Sequence, residues 1–92
     1  MNKNLKYAFR VYYIDGTNKV LSSRAVRPEE LYNDFDMLMP FEEYEKLHSQ
    51  NLQVGEILVM ASKLYKNFLQ KDFNRLEIIN VDTNDVIDFI DC

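Results

Sequence analysis

The sequence has few of the residues that most enzyme motifs require. Its 92 residues include two glycines, one histidine and one cysteine. Two glycines are too few for a loop that cradles phosphate groups, and the serines lack the G-x-S-x-G pattern of a nucleophile elbow. The single histidine has no cysteine or serine motif around it. We therefore expect a protein that is not an enzyme and carries no cofactor.

Long hydrophobic runs are also absent. The longest mainly apolar stretch is "ILVMA" at 57–61, far shorter than the ~20 residues that span a bilayer as a helix. The N-terminal sequence lacks an apolar segment followed by a small-residue cleavage site. A lone cysteine, Cys92, cannot form an internal disulfide and fits a reducing compartment. We expect a cytoplasmic protein with no membrane contact.

The residues that are present suit one small folded unit. Hydrophobic residues make up 47% of the chain and include six Phe and six Tyr, which is well above the composition of disordered proteins. A chain of this length can bury one core and has no room for a second. The sequence therefore predicts a single globular domain over residues 1–92.

Charge is distributed in blocks along the chain, which has a net charge of −4. Residues 1–27 and 57–75 are mainly basic, whereas residues 28–56 and 76–92 are mainly acidic. Such blocks can pair with one another inside the fold, or they can form a bipolar surface that steers a charged partner. The pattern alone leaves both interpretations open.

A β-hairpin is predicted near the N-terminus. The stretches "KYAFRVYYID" and "NKVLSSRAV" meet at the turn sequence "DGTN". β-Branched and aromatic residues favour strands, and Asp-Gly is a strong hairpin signal. A four-residue loop at this point would place Ile14 opposite Lys19 and Phe9 opposite Arg24.

A second hairpin is predicted at the other end of the chain, in "NRLEIINVDTNDVIDFIDC". Asparagine tolerates the left-handed conformation, so we expect Asn84 to close a type I turn that is followed by a bulge. The register then pairs Arg75 with Asp91 and Ile79 with Ile87.

Three helices are predicted between the hairpins. Pro28 and Pro40 each suit a first helical position and are followed closely by two glutamates, which favour the N-terminal end of a helix. The longest helix is expected from about Gly55 to Gln70. Apolar spacing predicts that the inner faces of the second and third helices carry Phe41, Tyr44, Leu47, His48, Ile57, Ala61, Leu64 and Phe68.

These elements predict a two-layer α+β domain of order ββαααββ, with a four-stranded antiparallel sheet packed on helices. The order helix, turn, helix and hairpin in the second half also fits a winged helix-turn-helix with an extra N-terminal hairpin. The latter is the alternative prediction.

Carboxylates stand at every third position of "DVIDFID", residues 85–91. This period matches neither a strand nor a helix. In a strand it leaves neither face wholly apolar, which guards an edge strand against pairing with another chain. The other interpretation is an acidic surface that binds a partner. The overlapping stretch "DTNDVID", residues 82–88, begins like a calcium loop with oxygens at Asp82 and Asn84. Val86 and Ile87 stand where an oxygen ligand and a glycine are required, so no metal site is predicted.

The function expected from these features is stoichiometric protein–protein interaction. We predict a small acidic regulatory protein of a bacterium, phage or plasmid, with inhibition of a host nucleic-acid-binding protein as one candidate activity and a second copy of the chain as a further candidate partner. Carboxylates that face basic side chains of a partner would speed association. The candidate partner-binding residues are Asp82, Asp85, Asp88, Asp91, Glu42, Glu43 and Glu45.

DNA binding is the alternative function. In the winged-helix prediction, the helix at 55–70 would lie against DNA and the hairpin at 75–91 would form the wing. The acidic wing opposes this function because it would repel phosphates. The candidate DNA-binding residues are Lys63, Lys66, Gln70, Lys71 and Arg75.

Overall fold

The computed structural model describes residues 6–92, apart from the side chains of residues 22–24. All neighbouring strands are antiparallel, in the spatial order β2-β1-β3-β4. The elements are β1 (Tyr7–Tyr13), β2 (Asn18–Ala25), a 3-10 helix (Pro28–Met37), α1 (Phe41–His48), α2 (Val54–Phe68), β3 (Phe73–Asn80) and β4 (Val86–Asp91). The predicted α+β class and the four-stranded antiparallel sheet are confirmed.

The pairing of β3 decides between the two predicted architectures. β3 lies between β1 and β4, and Phe9 of β1 pairs with Ile78 of β3. The C-terminal hairpin is therefore half of the central sheet and does not project as a wing. The winged helix-turn-helix alternative is not the observed fold.

The core lies between one face of the sheet and the helices. β1 contributes Phe9 and Val11, and β3 contributes Leu76 and Ile78, all of which are fully buried. The ring of Phe9 stacks on Phe35 at a centroid distance of 6.2 Å. The helical residues that complete this core are Leu31, Phe35, Leu47, Ile57, Leu58, Ala61 and Tyr65.

The first hairpin has a tighter turn than predicted. Tyr13 N donates to Thr17 O at 2.8 Å, so the loop has three residues and ends at Gly16. Gly16 adopts a φ of 93°, which suits the left-handed position of such a loop. Phe9 consequently pairs with Leu21 and not with Arg24. The predicted four-residue loop, which would have placed Ile14 opposite Lys19, was wrong.

The second hairpin follows the predicted register over most of its length. Asn84 adopts a φ of 63°, as predicted, and Arg75 pairs with Asp91. Near the turn, Ile79 pairs with Val86 and not with Ile87, because the register shifts between Ile78 and Ile79. Val86 therefore shares a face with Ile79.

Two of the predicted helices have apolar residues on unexpected faces. Phe41 is 67% exposed and Phe68 is 58% exposed, although both were predicted to face the core. Each lies in an end turn of its helix, and α1 packs mainly on the 3-10 helix. His48 is also exposed. No helix in residues 6–92 is long and apolar enough to cross a membrane.

Candidate interaction surface on the open face of the sheet

The face of the sheet opposite the helices carries a row of charged and aromatic side chains. Alternation along the strands directs these side chains away from the core, and none of them belongs to the core cluster. We call this surface the open face. Its charged and aromatic residues are Arg10, Tyr12, Arg75, Glu77, Phe89 and Asp91.

Glu77 lies at the centre of the open face and is only 3% exposed. Arg10 donates to Glu77 Oε1 from Nε at 2.9 Å and from Nη2 at 2.6 Å. Arg75 donates from Nε to Oε2 at 2.9 Å. Both oxygens of this carboxylate are thus satisfied, which offsets the cost of removing the charge from water.

Aromatic rings pack against both guanidinium groups. The guanidinium carbon of Arg10 lies 5.3 Å from the ring centroid of Tyr12, and that of Arg75 lies 3.9 Å from the centroid of Phe89. Both distances fall within the range of cation–π attraction. These contacts and the ionic bonds to Glu77 hold the side chains in one arrangement.

Apolar side chains flank the charged row. Phe89 is 47% exposed and Val86 is 43% exposed on β4, and Val20 is 45% exposed on β2. Val20 belongs to the open face because it pairs with Arg10. The surface therefore combines exposed apolar area with arginine and aromatic groups. Such a combination is typical of a protein-binding surface.

The charged groups of the open face are joined in one hydrogen-bond network. Glu77 is saturated by two guanidinium groups and has no neighbouring nucleophile in the hydrogen-bond network. Arg10 also donates from Nη1 to Asn84 Oδ1 at 2.9 Å. Within residues 6–92, no three side chains of His, Cys, Asp or Glu come together as a metal site.

The predicted acids of the C-terminal hairpin lie beside this surface. Asp91 contacts Arg75 at 3.5 Å and keeps a 69% exposed side chain. Asp82 and Asp85 are exposed at the turn, and Asp85 accepts a hydrogen bond from the Thr83 hydroxyl. Asp88 points to the helical side of β4, because it pairs with the core residue Ile78. Asp91 therefore adjoins the open face, whereas Asp82 and Asp85 lie in the turn that precedes β4.

The predicted acids of α1 lie apart from this surface. Glu42, Glu43 and Glu45 are exposed on a helix that belongs to the other layer. No hydrogen bond or ion pair in the described part of the chain joins them to the C-terminal hairpin. The structure does not bring the two predicted acidic groups together.

The candidate DNA-binding residues are dispersed and partly engaged within the chain. Lys66 donates to Phe73 O at 2.8 Å, Lys71 lies 2.6 Å from Asp15, and Arg75 belongs to the open face. Lys63 is exposed on α2, and Gln70 is exposed in the loop that follows this helix and not on it as predicted. Of the five candidates, all in the described part of the chain, only the side chains of Lys63 and Gln70 thus make no hydrogen bond or ion pair with another residue.

His48 forms part of an aromatic cluster on the helical side. Its Nδ1 lies 3.0 Å from the Tyr32 hydroxyl, and its ring contacts Tyr44 edge-on at 4.8 Å. The Tyr44 hydroxyl donates to Asn33 Oδ1. Burial, followed by the nearby Asp36 carboxylate, raises the pKa of Tyr44. His48 is therefore an exposed structural residue and not the inward-facing packing residue that the periodicity predicted.

Sequence reasoning missed four residues of the open face, namely Arg10, Tyr12, Glu77 and Phe89. The alternation Arg10–Tyr12 in one strand and Arg75–Glu77 in another is visible in the sequence. Its meaning depends on the pairing of β1 with β3. That pairing joins segments more than sixty residues apart in the chain, and no local sequence pattern predicts it.

Comparison with known proteins adds no relative: no family model, no curated protein sequence and no solved structure matches this chain. Function therefore has to be argued from the geometry of the surface.

Proposed function

We propose that this chain is a non-enzymatic binding protein that recognises a protein partner through the open face of its sheet. The observation that supports the proposal is the preorganised arginine and aromatic network around Glu77. Arginine and tyrosine are among the residues that most often contribute large binding energies at protein interfaces. Here Arg10, Tyr12 and Arg75 are partly exposed on the open face, with the exposed side chains of Phe89 and Val20 beside them.

Rigidity of the network favours binding. Each guanidinium group is held both by Glu77 and by an aromatic ring. Side chains that are already ordered lose little conformational entropy when a partner associates. The network thus offers a fixed pattern of charge and apolar area that a complementary partner can match.

The acids at the margin of the open face favour a basic partner. Asp91 is exposed beside it, Asp82 and Asp85 are exposed in the turn before β4, and the chain has a net charge of −4. Long-range attraction would speed encounter with a basic surface. A nucleic-acid-binding protein of the host has such a surface, so stoichiometric inhibition of such a protein by a phage- or plasmid-encoded chain is part of this proposal.

The test compares substitutions at two exposed phenylalanines, Phe89 on the open face and Phe41 on α1. Immobilised wild type, Phe89→Ser and Phe41→Ser proteins are incubated with nuclease-treated lysate of the encoding organism, and the retained proteins are quantified. We expect a partner that binds wild type and Phe41→Ser but is lost with Phe89→Ser. Retention of every bound protein by Phe89→Ser would contradict the proposal, provided that both variants keep the melting temperature of a folded chain.

A further inference from the structure

The two edges of the sheet carry opposite charge. β2 forms one edge and β4 forms the other. The sequence of β2 contains Lys19 and Arg24 and no acid, whereas that of β4 contains Asp88 and Asp91 and no base. Asp82 and Asp85, in the turn before β4, add to the acidic side. A basic edge and an acidic edge therefore bound the same sheet.

Strand direction allows the two edges to meet. Every neighbouring pair in the sheet is antiparallel, so β2 and β4 run in opposite directions. When two copies lie side by side in the same orientation, β4 of one copy is antiparallel to β2 of the next. The hydrogen-bond ladder of the sheet can thus continue from copy to copy without a reversal.

The side chains at the two edges match on both faces of the sheet. Lys19 pairs with the core residue Val11, and Asp88 pairs with the core residue Ile78, so both lie on the helical side. An antiparallel register with Lys19 opposite Asp88 brings two unlike charges together across the junction. On the open face, the same register places Val20 diagonal to Phe89, which is within reach of an aromatic ring.

Symmetric pairing of like edges is disfavoured. Two β4 edges would place carboxylates against carboxylates, and two β2 edges would place basic residues against each other. Like charges that face each other across strands are destabilising. Asp85, Asp88 and Asp91 recur at every third residue of the C-terminal segment and thus oppose pairing of β4 with a second β4. The basic β2 edge is the complementary partner for β4.

We propose that the chain associates head to tail, with β4 of one copy added to the β2 edge of the next and Asp88 facing Lys19. Because the contact joins two different edges, every assembly keeps an unpaired β2 edge at one end and an unpaired β4 edge at the other. The assembly therefore grows with concentration and does not stop at a dimer. The interface joins the strand edges and reaches the open face only at its margins, through Val20 and Phe89, whereas the network around Glu77 lies away from it, so its failure would leave the proposed function unaffected.

Charge reversal tests this arrangement. The average mass in solution is measured by sedimentation velocity as protein concentration is raised, at low and at high salt. We expect the mass of the wild-type protein to rise beyond that of a dimer, and the rise to weaken with salt. Lys19→Glu and Asp88→Lys should each abolish the association, because each places like charges across the junction.

Restoration of the charge pair is the decisive control. The double variant Lys19→Glu with Asp88→Lys, and an equimolar mixture of the two single variants, should both recover the wild-type association. Asp88→Asn, which keeps an oxygen for the bond from Phe89 N, serves as a milder variant if Asp88→Lys fails to fold. A wild-type chain that stays monomeric, or an Asp88→Lys variant that still associates, would overturn the proposal.

Discussion

At the scale of single residues, the most distinctive feature is a buried carboxylate on a face that no described helix covers. Glu77 is 3% exposed, yet it lies outside the core cluster. Removal of such a charge from water costs several kcal/mol unless partners replace the lost hydration. Arg10 and Arg75 supply those partners. Glu77 thus fixes the positions of both guanidinium groups and of the rings that pack on them.

Glu77→Gln should destabilise the protein. Glutamine keeps the shape of the side chain but leaves two guanidinium groups without their counterion. We expect a loss of about 2 to 4 kcal/mol in the free energy of unfolding, below the full cost of breaking a buried pair because Arg75 is partly exposed. Urea denaturation measures this change, with the exposed Glu43→Gln as control. A loss no larger than that of the control would contradict the role given to Glu77.

Asp15 provides a second residue-scale prediction, which concerns pH. Its carboxylate lies 2.6 Å from Lys71 Nζ and accepts bonds from the hydroxyl and the amide of Thr17. The Lys71 ammonium, followed by these Thr17 groups, holds the pKa of Asp15 below its usual range. Because the folded pKa is lowered, the stabilisation is present above the unfolded pKa of about 3.9 and is lost as pH falls below that value.

Comparison of wild type with Asp15→Asn separates the contribution of Asp15 to the pH dependence of stability from that of all other titrating groups. Wild type should have the higher melting temperature at neutral pH, and the difference should narrow steadily as the pH falls below about 4. Thermal unfolding of both proteins across the acidic range is the measurement. A difference in melting temperature that stays constant from neutral to acidic pH would contradict the lowered pKa of Asp15.

At the scale of elements, the turns show what the sequence can and cannot specify. Asn84 was predicted to be left-handed because asparagine tolerates that conformation, and its φ of 63° confirms this. The first turn was predicted as a four-residue loop, but the bond from Tyr13 N to Thr17 O closes a three-residue loop that ends at Gly16. Helix periodicity placed Phe41 inward, but it cannot say which turns of a helix a neighbouring element will cover.

The conformation of Asn84 can be tested by two substitutions that differ in one methyl group. Asn84→Ala and Asn84→Gly both remove the acceptor of Arg10 Nη1, so their difference reports the cost of a left-handed backbone. We expect Asn84→Ala to be less stable than Asn84→Gly by about 1 kcal/mol. Equal stability of the two variants in urea denaturation would indicate that this residue is not left-handed in solution.

At the scale of the whole molecule, the fold class was predictable and the surface was not. Two hairpins and a helical middle section are encoded locally, and they suffice for a two-layer α+β domain. The open face depends on β1 lying beside β3, and the four-stranded order is a property of the complete chain. The acids near 82–91 were visible in the sequence, but the aromatic and arginine network beside them was not.

The dispersal of the basic residues leads to a prediction about DNA. Lys66 and Lys71 contact groups of their own chain, so we expect no binding of mixed-sequence duplex DNA at about 50 mM salt. Fluorescence anisotropy of labelled DNA measures this directly. Binding that falls between about 50 and 200 mM salt, with a slope that Lys63→Ala and Lys66→Ala together flatten, would instead favour the DNA-binding alternative.

The location of the partner on the open face can be measured most directly by hydroxyl-radical footprinting of the complex with the captured protein. Phe89 and Phe41 are both exposed in the free chain, at 47% and 67%, and they lie in different layers of the fold. We predict that oxidation of Phe89 and Tyr12 falls in the complex while that of Phe41 is unchanged. Protection of Phe41 with continued oxidation of Phe89 would place the partner on the helices and contradict recognition by the open face.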